Sequence, residues 1–395
     1  MIILFDKKEE CCGCTACKSI CPNQAISMQL DEGFLFPVIN GDLCMECGLC
    51  KTACIINNKL STKQSLAIYA AIHKDQIILK NSSSGGVFTA LASLALDNRG
   101  VVFGCALNSE MEAEHISVDN VDDLKMLNGS KYVQSNVKNT FIEAKKSLQE
   151  ARLVLYTGTP CQIAGFKSFL GKDYDNLITV DLICHGVPSP TLFKEYINWL
   201  GENQKAKVID LSFRDKTKHG LGLMGKVTYQ KNDITREEAI YPLLHAYYYY
   251  FLQGDIYRES CYKCKFACSD RQGDFTLGDY WGIEKAHQEI NAERGVSVIL
   301  VNSKKGMKLL DKIGECLNLT QSTFEKASAG NGNLLHPTHK SDKRELILKV
   351  FRDEGYQAVD DMYRKSLGKR LVWVKVKAMI PVSFKNRIKR KLGRM

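Results

Sequence analysis

Between residues 66 and 314, short apolar segments alternate with longer segments in which apolar residues recur every three or four positions. The first pattern is typical of buried strands, and the second is typical of helices that cover a sheet. The expected strands are LAIYAAI, GVVFGCAL, RLVLYTG, NLITVDLIC, VIDLSFR and VSVILVN, and the expected helices span 86–98, 138–150, 161–170 and 190–200. This alternation predicts an α/β domain with a mainly parallel sheet covered on both faces, in an undetermined strand order.

The pattern changes at both ends of the chain. Residues 1–55 hold nine cysteines and few apolar residues for a conventional core, and the polar stretch 57–65 has the composition of a linker. After residue 340 the chain has a helical pattern and becomes increasingly basic. We therefore predict a cysteine-rich α+β module over residues 1–60, the larger α/β domain over 66–340, and a helical basic tail over 341–395.

The composition is that of a soluble globular protein, with 45% hydrophobic and 25% charged residues. The sequence contains neither a secretory signal peptide nor an apolar run long enough to span a membrane, so we expect a cytoplasmic location. In that compartment, sixteen cysteines favour metal binding or catalysis over disulfides. The net charge of +10 resides in the tail, because residues 369–395 carry ten Lys or Arg and no acid.

Eight of the nine N-terminal cysteines form two copies of one motif. CCGCTACKSICP has the spacing Cys-x2-Cys-x2-Cys-x3-Cys followed by Pro22, and CMECGLCKTACI repeats it with Ile55 in place of proline. This is the pattern of bacterial two-cluster ferredoxins, whereas zinc sites usually show two well-separated Cys-x2-Cys pairs. We predict two 4Fe–4S clusters, one held by Cys11, Cys14, Cys17 and Cys54, and the other by Cys44, Cys47, Cys50 and Cys21. Cys12 lies off the motif and is expected to be a bystander.

Another cysteine lies where an expected strand gives way to a helix. In RLVLYTGTPCQIAGF, Thr159, Pro160 and Gln162 have the features of a helix start. Cys161 then lies in the first helical turn, where unpaired N–H groups and the helix dipole favour a thiolate. Cys184 ends the next expected strand and takes the same position at the carboxyl edge of the sheet, where α/β proteins place their chemistry. Further along, CYKCKFAC supplies Cys261, Cys264 and Cys268.

Three serines and two glycines precede the apolar helix in NSSSGGVFTALASLAL. Ser84 is the expected cap of this helix. Gly85 and Gly86 would let backbone N–H groups approach a phosphate. A capped helix with a close glycine contact explains the same residues equally well.

Five segments in this order resemble the beta-subunit family of coenzyme F420-reducing hydrogenases and dehydrogenases: SSGGVFTAL, GSKYVQS, YTGTPCQIAG, DLICHGVPSP and CYKCKFACSDRQGDFTLGDYWGI. The resemblance covers about residues 66–300, and an N-terminal ferredoxin module is a common attachment in this family. It implies FAD, a 4Fe–4S cluster, and electron transfer between ferredoxin-type centres and a two-electron acceptor. Relatives include reductases of bilin- or chlorophyll-type substrates, and bacterial relatives occur beside polysaccharide biosynthesis enzymes.

The resemblance also implies roles for individual residues. A third 4Fe–4S cluster would be held by Cys161, Cys184, Cys261 and Cys264, with Cys268 as the substitute ligand. The alternative is that Cys161 and Cys184 are small buried hydrophobic residues. Cys105 is most simply a core residue.

For the flavin, the resemblance implies contacts from Ser84, Gly85, Gly86, Lys131 and Tyr132. Lys131 would lie near the pyrophosphate or the flavin ring, and the alternative is a solvated loop lysine. His185 is the candidate catalytic residue, because it could deliver a proton to a reduced substrate at neutral pH. A hydrogen-bonded structural histidine is the alternative.

These observations predict an iron–sulfur flavoprotein oxidoreductase. Electrons would pass from ferredoxin or another donor through the 4Fe–4S clusters to FAD and then to a small-molecule acceptor such as coenzyme F420, and the reverse direction is equally permitted. The alternative is an electron-transfer subunit of a larger redox complex without a substrate site of its own. We expect no nucleic acid as a partner, because the body of the chain is neutral and lacks aromatic residues interleaved on a basic face.

The C-terminal segment KRLVWVKVKAMIPVSFKNRIKRKLGRM combines basic residues with an apolar stripe. Phe384, Ile388 and Leu392 share one helical face, and the basic residues lie largely elsewhere. Three interpretations fit: peripheral attachment to the anionic inner face of a membrane, a packed terminal helix, or a docking surface for an acidic ferredoxin. Before Pro381, Val372, Val374 and Val376 alternate in a way that suits a strand or a helix.

Overall fold

The structure is a computed structural model that describes residues 2–58, 62, 64–216 and 222–379. Within these ranges no helix has both the length and the apolar character that crossing a membrane requires. The face formed by Phe384, Ile388 and Leu392 lies outside the described residues.

Thirteen strands occur in the described part of the chain and form three sheets. They are β1 (Ile26–Asp31), β2 (Phe34–Ile39), β3 (Ala67–His73), β4 (Val101–Leu107), β5 (Ala113–Val118), β6 (Val154–Gly158), β7 (Leu177–Leu182), β8 (Lys207–Ser212), β9 (Gly225–Lys231), β10 (Ile234–Ile240), β11 (Phe275–Asp279), β12 (Ser297–Val301) and β13 (Leu317–Ser322).

The α-helices of the same ranges lie between and after these strands. They are α1 (Ala16–Ile20), α2 (Leu49–Ala53), α3 (Gln76–Asn81), α4 (Val87–Asp97), α5 (Thr140–Gln149), α6 (Pro160–Leu170), α7 (Pro190–Gln204), α8 (Ala246–Gln253), α9 (Ile283–Ala286), α10 (Lys304–Ile313), α11 (Phe324–Ala329), α12 (Lys343–Leu367) and α13 (Arg370–Met379).

The largest sheet has eight strands in the order β13-β3-β12-β11-β7-β6-β4-β5. The four strands β11, β7, β6 and β4 are parallel neighbours, and β3 points the same way because two antiparallel steps through β12 separate it from β11. Helix α4 packs its apolar residues on one face of this sheet, and α5 and α6 pack on the other. The predicted α/β class, with a mainly parallel sheet, is confirmed.

Two predicted strands pair differently from a simple parallel alternation. The segment VIDLSFR contributes β8, which joins β9 and β10 in a separate antiparallel sheet. Only Val208 and Leu211 of β8 are buried, and a strand with one solvated face suits an antiparallel sheet. The segment VSVILVN contributes β12, which is buried along its whole length and runs antiparallel to both neighbours. A fully buried strand fits a sheet centre in either direction, so its burial pattern carries no information on orientation.

The N-terminal module is a β-hairpin, β1 and β2, beside the short helices α1 and α2, which pack on each other. The two helices start alike, because the residues before them, Thr15 and Gly48, both have a left-handed backbone. The module rests directly on the larger domain. The Ser189 hydroxyl donates to the Gly33 carbonyl at 2.7 Å, and Gly33 has a φ of 81°, where glycine is favoured.

Helix α12 begins the segment predicted as a tail, but it contributes side chains to the core. Ile347, Tyr356, Val359 and Tyr363 are buried in a cluster shared with α7 and α8. Helix α8 contains the tyrosine run AYYYYF, and most of these side chains are buried. Helix α13 shows that the alternating valines 372, 374 and 376 lie on a helix, and Trp373 is 75% exposed there.

A buried ion pair fastens the cysteine-containing loop 261–268 to β7. Asp181 is fully buried and accepts hydrogen bonds from the Arg271 guanidinium at 3.0 Å, the Thr276 hydroxyl at 2.6 Å and two backbone N–H groups. Arg271 in turn donates to the carbonyls of Phe266 and Cys268. The loop position therefore depends on this one carboxylate.

Replacing Asp181 by alanine should lower the stability by about 3–5 kcal/mol, because it leaves the buried Arg271 charge without a partner. The midpoint of urea unfolding under anaerobic conditions measures the effect. Asp119→Ala is the control, since the Asp119–Arg152 pair is exposed and should contribute little. An Asp181→Ala midpoint equal to that of the control would contradict the role assigned to this pair.

Candidate functional site

The site begins at the carboxyl ends of the parallel strands. The chain leaves β6 toward Cys161, β7 toward Cys184, and β11 at Asp279, and all three strand ends lie at the same edge of the sheet. The end of β3 and the start of β12 meet at this edge as well. The fold therefore gathers there residues that are far apart in sequence.

The start of α6 has the geometry predicted from the sequence. Thr159 is the N-cap, Pro160 is the first helical residue, and Gln162 completes a capping box by accepting the Thr159 N–H at 3.0 Å. Cys161 lies in the first turn with its sulfur 3.2 Å from the Thr159 hydroxyl. The orientation of this thiol is therefore fixed by the cap.

The four cysteines expected to hold a third cluster line one cavity of about 540 Å³: Cys161, Cys184, Cys261 and Cys264. Burial raises the pKa of the Cys261 thiol to about 12 and that of Cys264 to about 11, and the neighbouring thiols add to both shifts. Burial, followed by the three other thiols, raises the pKa of Cys184 well above its ordinary value. A metal centre bound in this cavity would supply the positive charge that favours the thiolates.

Two further cysteines, the substitute ligand Cys268 and the expected bystander Cys12, take different positions relative to this cavity. Cys268 does not line the cavity, and its thiol donates to the carbonyls of Lys265 and Asp270. Cys12 does line the cavity, where its thiol interacts with both Cys14 and Cys161. The sequence could not predict the contact between Cys12 and Cys161, because the two residues are distant in the chain.

The N-terminal cysteines line two smaller cavities that divide them as the motif predicts. One is lined by Cys11, Cys14, Cys17 and Cys54, and also by Cys12; the other is lined by Cys21, Cys44, Cys47 and Cys50. Backbone N–H groups of Gly13 and Ala25 donate to the sulfurs of Cys11 and Cys21 at 3.4 and 3.3 Å. Such bonds are typical of cluster ligands, so the donor sets fit two cubane clusters.

In the described ranges, no three His, Cys, Asp or Glu side chains converge closely enough to hold a single metal ion. A 4Fe–4S cube spreads its four ligand sulfurs over four iron atoms and requires wider spacing than one ion does. We name the three cysteine sets by one member each: the Cys11 group (with Cys14, Cys17 and Cys54), the Cys21 group (with Cys44, Cys47 and Cys50) and the Cys161 group (with Cys184, Cys261 and Cys264).

Helix α6 joins the Cys11 group to the Cys161 group. It carries Cys161 in its first turn and Gly165 one turn later, on the same side. A Cβ at Gly165 would lie only 2.8 Å from the Cys14 sulfur. The two cysteine groups therefore adjoin across one turn of helix.

A second set of polar residues lies beside the cavity. Arg214 is buried, donates to the Asp279 carboxylate at 2.6 Å, and lies 5.1 Å from the Trp281 ring. The Tyr132 side chain interacts with Arg214, and its ring stacks on Phe251 at 4.1 Å. Sequence reasoning missed Arg214 and Lys216, although the basic residues of FRDK directly follow the strand segment VIDLS and offered a signal.

The residues predicted to contact FAD lie around this polar set. The Ser130 N–H donates to the Ser83 hydroxyl at 3.0 Å, which connects the loop of Lys131 and Tyr132 to the serine–glycine segment. The Lys216 ammonium donates to the Ser84 carbonyl at 2.6 Å, and burial lowers the pKa of Lys216 to about 8. The structure thus brings the five predicted residues to one edge of the sheet.

Individual predictions for these residues need correction. Ser84 does not cap α4, because the helix starts after Gly86 in a left-handed conformation and the Ser84 hydroxyl donates to the Val296 carbonyl. The Gly85 N–H donates to the Ser297 hydroxyl at 2.8 Å. Lys131 is not a solvated lysine: it donates to the carbonyls of Asn128 and Met126, and burial lowers its pKa to about 8.

His185 lies between the cysteine cavity and the Arg214–Asp279 pair. It lines the cavity beside Cys184, and its backbone carbonyl accepts a hydrogen bond from the Thr338 hydroxyl. Burial lowers the pKa of its imidazole, and the Asp279 carboxylate opposes that shift. The ring is therefore favoured in its neutral form near pH 7.

Comparison with known proteins finds a family model that matches the part of the chain containing His185. Residues 151–326 match the family model that describes the C-terminal part of the beta subunit of coenzyme F420 hydrogenases and dehydrogenases. This segment, somewhat less than half of the chain, is similar to that family. The matched segment contains the whole Cys161 group together with Arg214, His185 and Asp279.

Among solved structures, one neighbour is the xenon-derivatised F420-reducing NiFe hydrogenase complex from Methanosarcina barkeri. The two chains are 15% identical, and the match covers 79% of this chain and 94% of that chain with a TM-score of 0.43. No curated protein matches the sequence.

Replacing any one cysteine of the Cys161 group by serine should lower the iron content by roughly four atoms per chain, because each supplies one ligand of a cube. Iron analysis of anaerobically purified protein measures the loss. Cys268→Ser, Cys105→Ser and Cys316→Ser are matched controls that should keep full iron. Full iron in Cys161→Ser together with loss in Cys268→Ser would replace Cys161 by Cys268 in the ligand set.

Proposed function

We propose that this protein is an iron–sulfur flavoprotein oxidoreductase that passes electrons through three 4Fe–4S clusters to FAD and on to a two-electron acceptor. The observation that carries the proposal is the arrangement of twelve cysteines in three groups of four, the last of which adjoins the polar edge of the sheet. The redox character of the family supports it.

The three groups follow one another across the molecule. The Cys21 group and the Cys11 group share the N-terminal module through helices α1 and α2, and α6 connects the Cys11 group to the Cys161 group. Such a series suits the transfer of single electrons from ferredoxin or another donor at the surface to the sheet edge. Cys47 of the Cys21 group is exposed, which supports entry of electrons at that end.

The polar edge offers what a flavin nucleotide requires. Arg214, Lys216 and Lys131 are cations suited to a pyrophosphate or to the electron-rich side of a flavin ring, and Tyr132 and Trp281 provide aromatic surfaces. When bound there, FAD would convert single electrons into a hydride equivalent. His185 lines the cavity beside Cys184 and would hold or deliver a proton.

The family description favours a second candidate function. It names a beta subunit of hydrogenases and dehydrogenases, and this chain could likewise be the electron-transfer subunit of a larger complex. Anaerobic turnover with a reduced viologen donor separates the two. Reduction of coenzyme F420 or another small acceptor by the purified chain supports the oxidoreductase. A chain that holds clusters and flavin but reduces no acceptor supports the electron-transfer role.

The cofactor content gives the direct test. Anaerobically purified protein should contain about twelve iron atoms and one FAD per chain, because three cubes and one flavin site are proposed. Cys14→Ser and Cys47→Ser should each lower iron but leave FAD bound, since both cysteines lie in the N-terminal module. Cys316→Ser is the control with full iron and flavin. Protein with three clusters and no flavin would contradict the proposal.

For the basic tail we propose reversible attachment to an anionic membrane surface, where each Lys or Arg contributes about 1 kcal/mol. Full-length protein should float with anionic liposomes at low salt, and a variant truncated after Gly368 should not. Neutral liposomes provide the control. Equal flotation of both proteins would exclude this role and leave packing or ferredoxin docking for the tail.

A further inference from the structure

Arg258 lies buried between two cysteine groups, with only 1% of its surface exposed. Its Nε donates to the Cys11 carbonyl at 2.7 Å, and its Nη1 donates to the Leu35 carbonyl at 3.0 Å and faces the Gln134 side-chain oxygen at 3.4 Å. Its Nη2 is buried and has no hydrogen-bond partner among the described residues. One end of the guanidinium is thus fixed by hydrogen bonds to carbonyls, and the other end makes no hydrogen bond with the described residues.

Arg258 differs from the other arginines that the structure shows as buried. Arg214 pairs with Asp279, Arg271 with Asp181, and Arg344 with Glu259. In the described part of the chain no carboxylate pairs with Arg258; its plane instead lies 3.9 Å from the Phe36 ring and 5.7 Å from the Phe34 ring. Aromatic faces offset only part of the cost of burying a charge, so a negative group nearby is required.

The cysteine groups on both sides are the candidates for that negative charge. On one side, the Arg258 Nε bond to the Cys11 carbonyl holds the guanidinium beside the Cys11 group. On the other side, the Cys261 N–H donates to the Arg258 carbonyl at 2.9 Å, so Arg258 and a member of the Cys161 group belong to the same backbone turn. Arg258 is therefore bonded to one member of each of the two groups.

The backbone holds Arg258 at this junction from both domains. Its own N–H donates to the Val187 carbonyl, which follows Cys184 and His185 on the larger domain. On the N-terminal module, Gly13 has a φ of 69°, and a Cβ there would lie 2.6 Å from the Gln134 amide nitrogen and 3.5 Å from the guanidinium carbon. Glycine at this position lets the cluster loop close onto the arginine.

We propose that Arg258 is the positive counter-charge shared by the clusters of the Cys11 and Cys161 groups, and that it raises the reduction potentials of both. The proposal rests on the cluster assignment of the proposed function. A buried cation favours the state of a cluster that carries one more electron, and low dielectric surroundings strengthen the effect. None of the hydrogen bonds or ring contacts of Arg258 involves the Cys21 group, whose cluster should keep a lower potential.

This difference in reduction potential would favour electron transfer in one direction along the series of clusters. An electron that enters at the Cys21 group would move to the two clusters with higher potential and so toward the polar edge of the sheet. Arg258 would influence electron transfer through its positive charge alone, without contacting the flavin or the acceptor. It is therefore a positioning residue and not a catalytic one.

Arg258→Gln tests the proposal in the anaerobically reconstituted full chain. The substitution keeps a side chain that can donate to the Cys11 carbonyl and removes the charge. In a redox titration followed by electron paramagnetic resonance, two of the three cluster signals should shift to lower potential, and the third should keep its wild-type value. Arg258→Lys should restore both potentials most of the way, because it retains the charge.

Arg344→Gln is the matched control. Arg344 is also buried, donates through Nε to a backbone carbonyl and lies near an aromatic ring. None of its hydrogen bonds, ion pairs or ring contacts with the described residues involves a cysteine. This variant should leave all three potentials unchanged. A merely structural role of Arg258 would lower its iron content or stability without moving the potentials of the clusters that remain.

Full iron and three wild-type potentials in Arg258→Gln would overturn the proposal. If that variant does not retain its clusters, Gln134→Glu replaces it, since a carboxylate at this position neutralises the guanidinium without removing it. The same two potentials should then fall, and unchanged potentials would overturn the proposal. Wild-type protein that lacks the third cluster signal would instead overturn the cluster assignment, and with it the sharing of Arg258 between two clusters.

Discussion

The contact between Gly165 and Cys14 is the constraint on which the arrangement of the site depends. Because Gly165 has no side chain, the loop of the Cys11 group can lie directly on helix α6. The same helix fixes Cys161 through its capping box at Thr159 and Gln162. One short helix thereby sets both the position of the N-terminal module and the position of Cys161 in the Cys161 group.

Buried charge provides the second organising principle. Arg271 and Arg214 each find a carboxylate within the larger domain, Asp181 and Asp279, and each pair fixes a segment of the site. Their charges are satisfied by the polypeptide alone. Arg258 has carbonyls and aromatic rings but no such carboxylate among the described residues. In the proposal made for Arg258, the neighbouring cysteine groups supply the negative charge that a buried guanidinium requires.

Local signals predicted the parts of the structure that depend on neighbours in sequence. The capping residues around Cys161 predicted the start of α6, and the cysteine spacing predicted how eight thiols divide between two cavities. The sequence did not indicate the position of Cys12 against Cys161, the antiparallel pairing of β12, or the burial of Arg258. Each of these features depends on contacts between segments that are distant in the chain. The periodicity of apolar residues along the sequence does not predict such contacts.

The serine–glycine segment shows why one local signal has two physical meanings. Both a phosphate and a crossing backbone require a residue without a Cβ, so Gly85 is compatible with either. At this position the neighbour is protein: the Ala71 carbonyl and the Ser297 backbone occupy the space, and the Gly85 N–H is bonded to the Ser297 hydroxyl. Gly85 therefore holds the start of β12 against the end of β3. The cations that suit a flavin nucleotide come from elsewhere, and Lys216, which holds the Ser84 carbonyl, links them to this segment.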